Sequence, residues 1–265
     1  MHDLDQLTRP QAWAGILTDI DDTLTLDGDI EPAALDALHE LRSAGIPVIA
    51  VTGRPAGWSE APALHWPLAT IVAENGSVRL SAEQGRLVKH YIEDDTTRQH
   101  QHRVLMQVLE LVERTVPGAR RASDSAGRET DIAIDHSEHT HLPPERVAEV
   151  VALMRSQGLV ATVSSIHING WLGTHNKWTG ACWAVKEVLG QDLPSQRARW
   201  VYVGDSTNDQ VMFEHMPHSV GVANIRRFWD QLHHRPRYVT RGERGQGFAE
   251  AARHLLRQPA TQPTM

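Results

Sequence analysis

The chain has 265 residues, of which 40% are hydrophobic and 22% charged, a balance that fits one large or two modest folded domains. Its net charge of −7, without any basic stripe, argues against a nucleic-acid partner, and the single Cys182 rules out an intramolecular disulfide framework. No apolar run approaches the ~18 residues of a membrane span, and the acidic first residues lack the apolar core of a secretory signal, so a cytoplasmic protein without membrane attachment is expected.

In chain order, Ala14 to Thr18 reads as a short buried strand running into Asp19-Ile-Asp21-Asp-Thr23. A helix start comes next at Asp29-Ile-Glu-Pro32, with proline at the first turn, and Leu35, Leu38 and Leu41 continue at helical spacing until Gly45 stops it. Ile46 to Val51 and Thr70 to Ala73 are two more buried strands, ending in Thr52-Gly53-Arg54-Pro55 and Glu74-Asn75-Gly76. Strand, helix and strand joined by short connections imply right-handed crossovers and a parallel sheet.

The pattern then changes. A hairpin is expected around Gln84-Gly85, then a long amphipathic helix over 98–115 and a strand at Ile132-Ala-Ile134. A helix is expected next over 144–156, and one strand over 159–168. The α/β alternation resumes at Asn176, with a helix over 177–189, strands at 200–203, 219–222 and 237–240, and a last helix over 248–256. The expected organisation is a parallel α/β core formed by 1–82 and 176–257, an inserted α+β domain at 83–175, and a disordered polar tail at 258–265.

Some features are read as bland. The sixteen histidines are many for this length. The stretches His100-Gln-His102 and His136 to His141 lack the Cys/His spacing of a zinc site, so they read as solvated surface. Gly242 to Gly247 has the wrong spacing for a dinucleotide fingerprint, and no P-loop is present.

Asp19 and Asp21 carry the most information. Two like charges at 4 Å repel by roughly 4 kcal/mol at an effective dielectric of ~20. Placing them together at a strand end therefore calls for a cation, a proton or both. Thr52-Gly53-Arg54 and Asp205 with Asn208 and Asp209 also stand where a predicted parallel strand ends. In an open parallel sheet such ends converge on the ligand site. Lys177 begins a helix, whose N-terminal amides favour an anion.

The set Asp19-x-Asp21-x-Thr23, Thr52, Lys177 and Gly204-Asp205-x-x-Asn208-Asp209 resembles the four motifs of the haloacid dehalogenase superfamily. The Asp-Asp-Thr opening, the Glu74-Asn75-Gly76 turn and the position of the insert resemble the subfamily with a type-IIB cap. That group holds Cof-type, sucrose-phosphatase-like and mannosyl-3-phosphoglycerate phosphatase-like enzymes. The resemblance implies a Rossmann-like parallel sheet core with an α+β cap. It also implies a Mg²⁺-dependent phosphatase acting on a small phosphorylated metabolite, a sugar phosphate or a phosphoglycerate-type compound.

By resemblance, Asp19 attacks phosphorus to give an aspartyl-phosphate, and Asp21 serves as acid and then base. Asp19, Asp21 (through its backbone carbonyl), Asp205 and Asp209 are the expected Mg²⁺ ligands. Thr52, Gly53, Lys177 and Asn208 are expected on the phosphate, with Lys177 also offsetting the carboxylates. Substrate candidates are Arg54, Asn75, His167 and Asn169. Strand alternation puts His167 and Asn169 on one face, opposite Ile166 and Ile168. A phosphomutase sharing the same intermediate and a non-catalytic phosphate- or metal-binding protein are the alternatives.

Overall fold

A computed structural model describes residues 2–8 and 12–258. The chain forms strands β1 (Gly15–Thr18), helix α1 (Pro32–Ser43), β2 (Val48–Val51), α2 (Ala56–His65), β3 (Thr70–Ala73), β4 (Val78–Glu83) and β5 (Arg86–Tyr91). Next come α3 (Asp95–Thr115), β6 (Asp131–Asp135), α4 (Pro144–Ser156), β7 (Val160–Val163), β8 (His167–Trp171) and α5 (Lys177–Leu189). The chain continues with β9 (Trp200–Gly204), α6 (Gln210–His215), β10 (Ser219–Gly221), β11 (Tyr238–Val239) and α7 (Arg244–Arg257).

The core is a nine-stranded sheet in which β11, β10, β9, β1, β2, β3, β4 and β5 lie in that order beyond the edge pair His2–Asp3. Pairing is parallel through β3, and the hairpin β4–β5 adds two antiparallel strands. Both faces are covered, so the central strands are apolar without a polar face. On β1, Ile16 packs with α1 and α7 (Leu38, Phe248), while Leu17 packs with α5 and α6 (Ala184, Phe213). The sheet order places β9, β1, β2 and β3 side by side, so the residues after them, Asp205, Asp19, Thr52 and Glu74, line one edge.

The inserted unit has a four-stranded antiparallel sheet, in the order β7, β8, β6 and Arg120–Arg121. Helices α3 and α4 cover one face, where Leu105, Val112 and Met154 meet Ile134 and Ile168. The other face turns His167 and Asn169 toward the core.

Three expectations change in detail. The strand expected over 159–168 is a hairpin. The Ser164 hydroxyl accepts N–H bonds from Ile166 and His167 at 3.3 and 3.0 Å, bending the chain between β7 and β8. The insert expected from 83 opens with β5, which pairs into the core sheet rather than the cap sheet. The helix expected from 248 begins at Arg244, because Glu31 accepts the Gly245 N–H at 2.7 Å and the Asn224 side chain accepts that of Arg244. Helix α2 had no sequence expectation. Of the tail, 259–265 lie outside the described residues. Among the described residues no helix is long and apolar enough to cross a membrane.

Candidate active site

Asp19 stands just after β1 and is 3% exposed. Its Oδ1 lies 2.8 Å from the Lys177 Nζ, which also donates to Asp209 Oδ1 at 2.7 Å. Lys177 reaches there because α5 starts close to the sheet edge. Asn176 caps the helix, its side chain accepting from Trp178 and Thr179 while the Thr179 hydroxyl accepts from the Asn176 N–H. Gly76 has φ +119°, and a Cβ there would lie 2.3 Å from the Asn176 carbonyl, so glycine lets the helix start approach.

Asp209 is held on every side. Oδ1 accepts from Lys177 and from the Tyr202 hydroxyl at 2.5 Å, and Oδ2 from the N–H groups of Asp205 and Ser206 at 2.8 and 3.1 Å. Gly204 makes this possible, since a Cβ there would lie 2.4 Å from Asp209 Oδ2. Asp205 is fully buried. Its Oδ2 accepts from Asn224 Nδ2 at 3.1 Å, and its Oδ1 has no hydrogen-bond partner.

These carboxylates are hard to ionise together. Burial pushes Asp19 up to about 7 against the opposing charge of Lys177, with Asp209 and Asp21 adding to the rise. Burial together with Asp209 and Asp19 raises Asp205 well above the usual carboxylate range. Lys177 stays protonated. Burial works against its charge, but Asp19 and Asp209 outweigh it.

Asp19, Asp205 and Asp209 bring oxygens within 4.8 Å of one another. Ionised, they carry −3, and Lys177 +1, which leaves a buried −2. A divalent cation balances that charge, the donors are the hard oxygens that Mg²⁺ takes, and the orphaned Asp205 Oδ1 is a ready ligand atom. The residues therefore fit the ion. The four hydrogen bonds on Asp209 suit it to orienting the Asp205 loop and Lys177 rather than to direct ligation.

Asp21 lies apart from this triangle. Arg54 Nε donates to its Oδ1 at 2.8 Å. Burial raises the Asp21 carboxyl, and Arg54 pulls it back. The Thr52 hydroxyl accepts from the Arg54 N–H at 3.0 Å, which shapes the turn after β2. Gly53 offers its carbonyl to two cap residues, Arg128 Nη1 at 3.0 Å and Asn169 Nδ2 at 3.4 Å. Asn208 is buried and accepts from the Ser206 hydroxyl at 2.9 Å.

The substrate candidates gather at the cap–core boundary, mostly engaged with protein. Arg54 also meets Glu138 at 3.2 Å and Asp124 at 3.5 Å, both from the cap. His167 Nε2 bonds Glu138 Oε2 at 2.9 Å, and this hydrogen bond, with Arg54 assisting, lowers Glu138 to about 2. Asn75 and Asn169 both donate to Asp131 Oδ2 at 3.2 Å, while Arg128 holds Oδ1 at 2.8 Å. Burial nevertheless raises Asp131 to about 7. Trp171, buried at the end of β8, stacks on the His175 ring and donates its indole N–H to the His175 carbonyl at 3.0 Å.

Between Asp21 and the cap lies a cleft of about 740 Å³, walled by Arg54, Arg244 and the 136–142 loop. His136, read from sequence as solvated surface, is half-buried along this wall, while His139 and His141 are exposed. Two further grooves, of about 630 and 550 Å³, flank α3 and reach neither Asp19 nor Asp21.

Sequence reasoning missed Tyr202, Asn224 and Glu138, and named Glu74 only as part of the turn after β3, without a role. Asn224 and Glu74 come within a few residues of strand ends, and Tyr202 stands two before Gly204, so the strand-end rule could have flagged these three. Glu138 sits in a cap loop with no such signal.

Residues 16–110 match the model of a family described as haloacid dehalogenase-like hydrolase. Across nearly its full length the chain is similar to solved structures. A Thermoplasma acidophilum protein, 0175, superposes with TM-score 0.70 and 18% identity, over 92% of this chain and 99% of that one. A HAD/COF-like hydrolase from Plasmodium vivax gives 0.68 and 17%, over 96% and 99%. The sucrose-phosphatase of Synechocystis, solved with sucrose and phosphate, gives 0.65 and 17%, over 92% and 98%. Residues 16–110 are thus similar to the haloacid dehalogenase-like hydrolases, and the chain as a whole shares the fold of these solved structures.

Proposed function

We propose that the protein is a Mg²⁺-dependent phosphatase that hydrolyses a small phosphorylated metabolite through a phosphoryl group carried on Asp19. The observation that carries this reading is the buried Asp19–Lys177–Asp209–Asp205 cluster at adjoining strand ends, with its uncompensated charge and its unpartnered Asp205 oxygen.

Asp19, the Asp21 backbone carbonyl and Asp205 would hold the ion, with Asp209 orienting them. The ion would neutralise phosphate charge and lower the cost of ionising the carboxylates. Lys177 favours the ionised form of Asp19 against burial and offers its remaining N–H to a phosphate oxygen, beside the Thr52 turn and Asn208. Asp19 attacks phosphorus as the ester oxygen departs. Asp21 delivers a proton to that oxygen, and later takes one from the water that frees phosphate. Its raised affinity for a proton suits the first role, and the Arg54 contact holds the carboxyl in place.

The test is phosphate release from a panel of phosphorylated metabolites, with Mg²⁺ and with EDTA, beside Asp19→Asn. Mg²⁺-dependent release that the variant loses is expected. Full activity of the variant would overturn the assignment of Asp19. Release only in the presence of a bisphosphate activator would favour a phosphomutase.

A further inference from the structure

We infer that Glu138, a cap residue, is a positioning residue for the proton donor Asp21: it aims Arg54, and Arg54 holds the Asp21 carboxyl. The inference rests on the phosphatase reading and adds to it a component of the acid step that the core alone does not supply.

A carboxyl that hands over a proton has to face its acceptor, and it turns about its Cβ–Cγ bond unless a partner fixes it. Among the described residues the Asp21 carboxyl has one such partner, the Arg54 Nε at 2.8 Å. Arg54 is a long side chain whose own aim has to be fixed against its rotamer freedom. The Trp58 ring does so on one side, its centre 4.9 Å from the guanidinium carbon. Two cap carboxylates reach Nη1, Glu138 Oε1 at 3.2 Å and Asp124 Oδ2 at 3.5 Å. Asp124 is drawn the other way, since Arg128 Nη2 lies 3.1 Å from its Oδ1 and 3.3 Å from its Oδ2. Glu138 is therefore the closer anchor of Arg54 in the cap.

Glu138 is itself held from two sides. Asp135 is buried at the end of β6, and its oxygens accept the backbone N–H groups of Glu138, His139 and Thr140, each at 2.9 Å, which fixes the loop that carries Glu138. His167 on β8 bonds Glu138 Oε2 at 2.9 Å and leaves Oε1 to Arg54. The loop's own imidazoles do not take Oε1. His136 bonds through Nε2 to the Ser164 carbonyl, and His139 stands 3.9 Å from Oε2 with its side chain 65% exposed. His141 is exposed and, among the described residues, makes no ion pair with Glu138.

In the transfer step the bond from phosphorus to the ester oxygen breaks as the bond to Asp19 forms, and the Asp21 proton goes to the departing oxygen. An alkoxide needs that proton to leave, whereas p-nitrophenolate leaves without it. Losing the aim of Asp21 therefore slows the alkyl ester and spares the nitrophenyl one. Losing substrate binding or folded protein slows both alike.

The experiment measures kcat/KM with Mg²⁺ for benzyl phosphate and p-nitrophenyl phosphate, two esters of similar size, in the wild type, Glu138→Ala, Asp21→Asn and the double variant. This constant ends at phosphoryl transfer, so the later hydrolysis of the intermediate does not enter it. Asp21→Asn should lower the benzyl value about 100-fold more than the p-nitrophenyl value, the low end of what a positioned acid contributes. Glu138→Ala should lower it about tenfold more, a partial loss of the same contribution. Added to Asp21→Asn, it should move the ratio of the two esters by less than about twofold, since no acid is left to aim. Each ratio is taken on one preparation, so the folded fraction cancels, and Glu138→Gln carries the same test if the alanine variant yields no folded protein. Equal losses on both esters, no loss at all, or an undiminished tenfold effect in the double variant would overturn the inference and leave the phosphatase standing. A wild type that releases phosphate from neither ester would remove the phosphatase reading and this inference with it.

Discussion

Glu74 joins core and cap through one buried carboxylate, and its removal should loosen that junction measurably. The residue is fully buried at the end of β3. Its Oε1 accepts from the Ala56 N–H at 2.9 Å, at the start of α2, and from the Glu129 N–H at 3.0 Å. Its Oε2 accepts from the Thr130 N–H and hydroxyl, both at 2.5 Å, and from the Asp131 N–H at 3.2 Å. The backbone is left-handed at both Glu74 (φ 48°) and Asn75 (φ 58°), an uncommon conformation that aims the side chain into the cap.

Hydrogen bonds to a charged acceptor contribute about 1.5–3 kcal/mol each, and a buried N–H left bare costs about 1–3 kcal/mol. The five donors crowd two oxygens, and water can enter the space that alanine leaves. Glu74→Ala is therefore expected to cost about 3–5 kcal/mol, well short of the simple sum. Urea unfolding gives the loss, and hydrogen exchange locates it, with the amides of 129–131 losing protection while those of β1 and β9 keep theirs relative to the global limit. A loss under about 1 kcal/mol with unchanged exchange at 129–131 would refute the reasoning, since those amides would then have other partners.

Asp131 and the cation site give two further predictions. Asp131 has its folded pKa raised from 3.8 to about 7, so it contributes stability below the unfolded value that is lost as pH rises through about 7. The unfolding free energy of the wild type relative to Asp131→Asn should therefore fall between pH 4 and 7, by at most about 1.4 kcal/mol per unit. A pH-independent difference in denaturant titrations would contradict this. Mg²⁺ at 100 times its dissociation constant should stabilise the wild type by about 2.7 kcal/mol, read as a rise in melting temperature. Asp205→Asn, which removes a buried ligand without emptying its space, should abolish the rise, and a retained rise would place the ion elsewhere.

The core was legible because its signals are local. A strand buried on both faces reads as an apolar run, and the residues just beyond its end lie at the ligand edge. Asp19, Thr52 and Asp205 could thus be placed before any coordinates, as could Lys177 at a helix start. The helix α2 was missed because Gly57 and Pro62 blur its pattern and its burial is set by β4. The 159–168 strand was read as one because its break rests on a serine side chain, not on Gly or Pro.

The cap–core contacts were hidden for a different reason. Arg54 meets Glu138 across 84 residues of sequence and Glu74 meets Thr130 across 56, pairings fixed only by docking of two sheets. The histidine loop at 136–141 looked like solvent surface because polarity alone does not tell an exposed rim from the wall of a cleft.

The most direct test of the central claim, that Asp19 carries the phosphoryl group, is acid quenching of the enzyme during turnover of a radiolabelled phosphomonoester. The account predicts protein-bound phosphate that hydroxylamine releases and that maps to Asp19. It should persist longer in Asp21→Asn, where the water is no longer deprotonated, and be absent from Asp19→Asn. Sustained phosphate release by Asp19→Asn, or a label on another residue in the wild type, would contradict it.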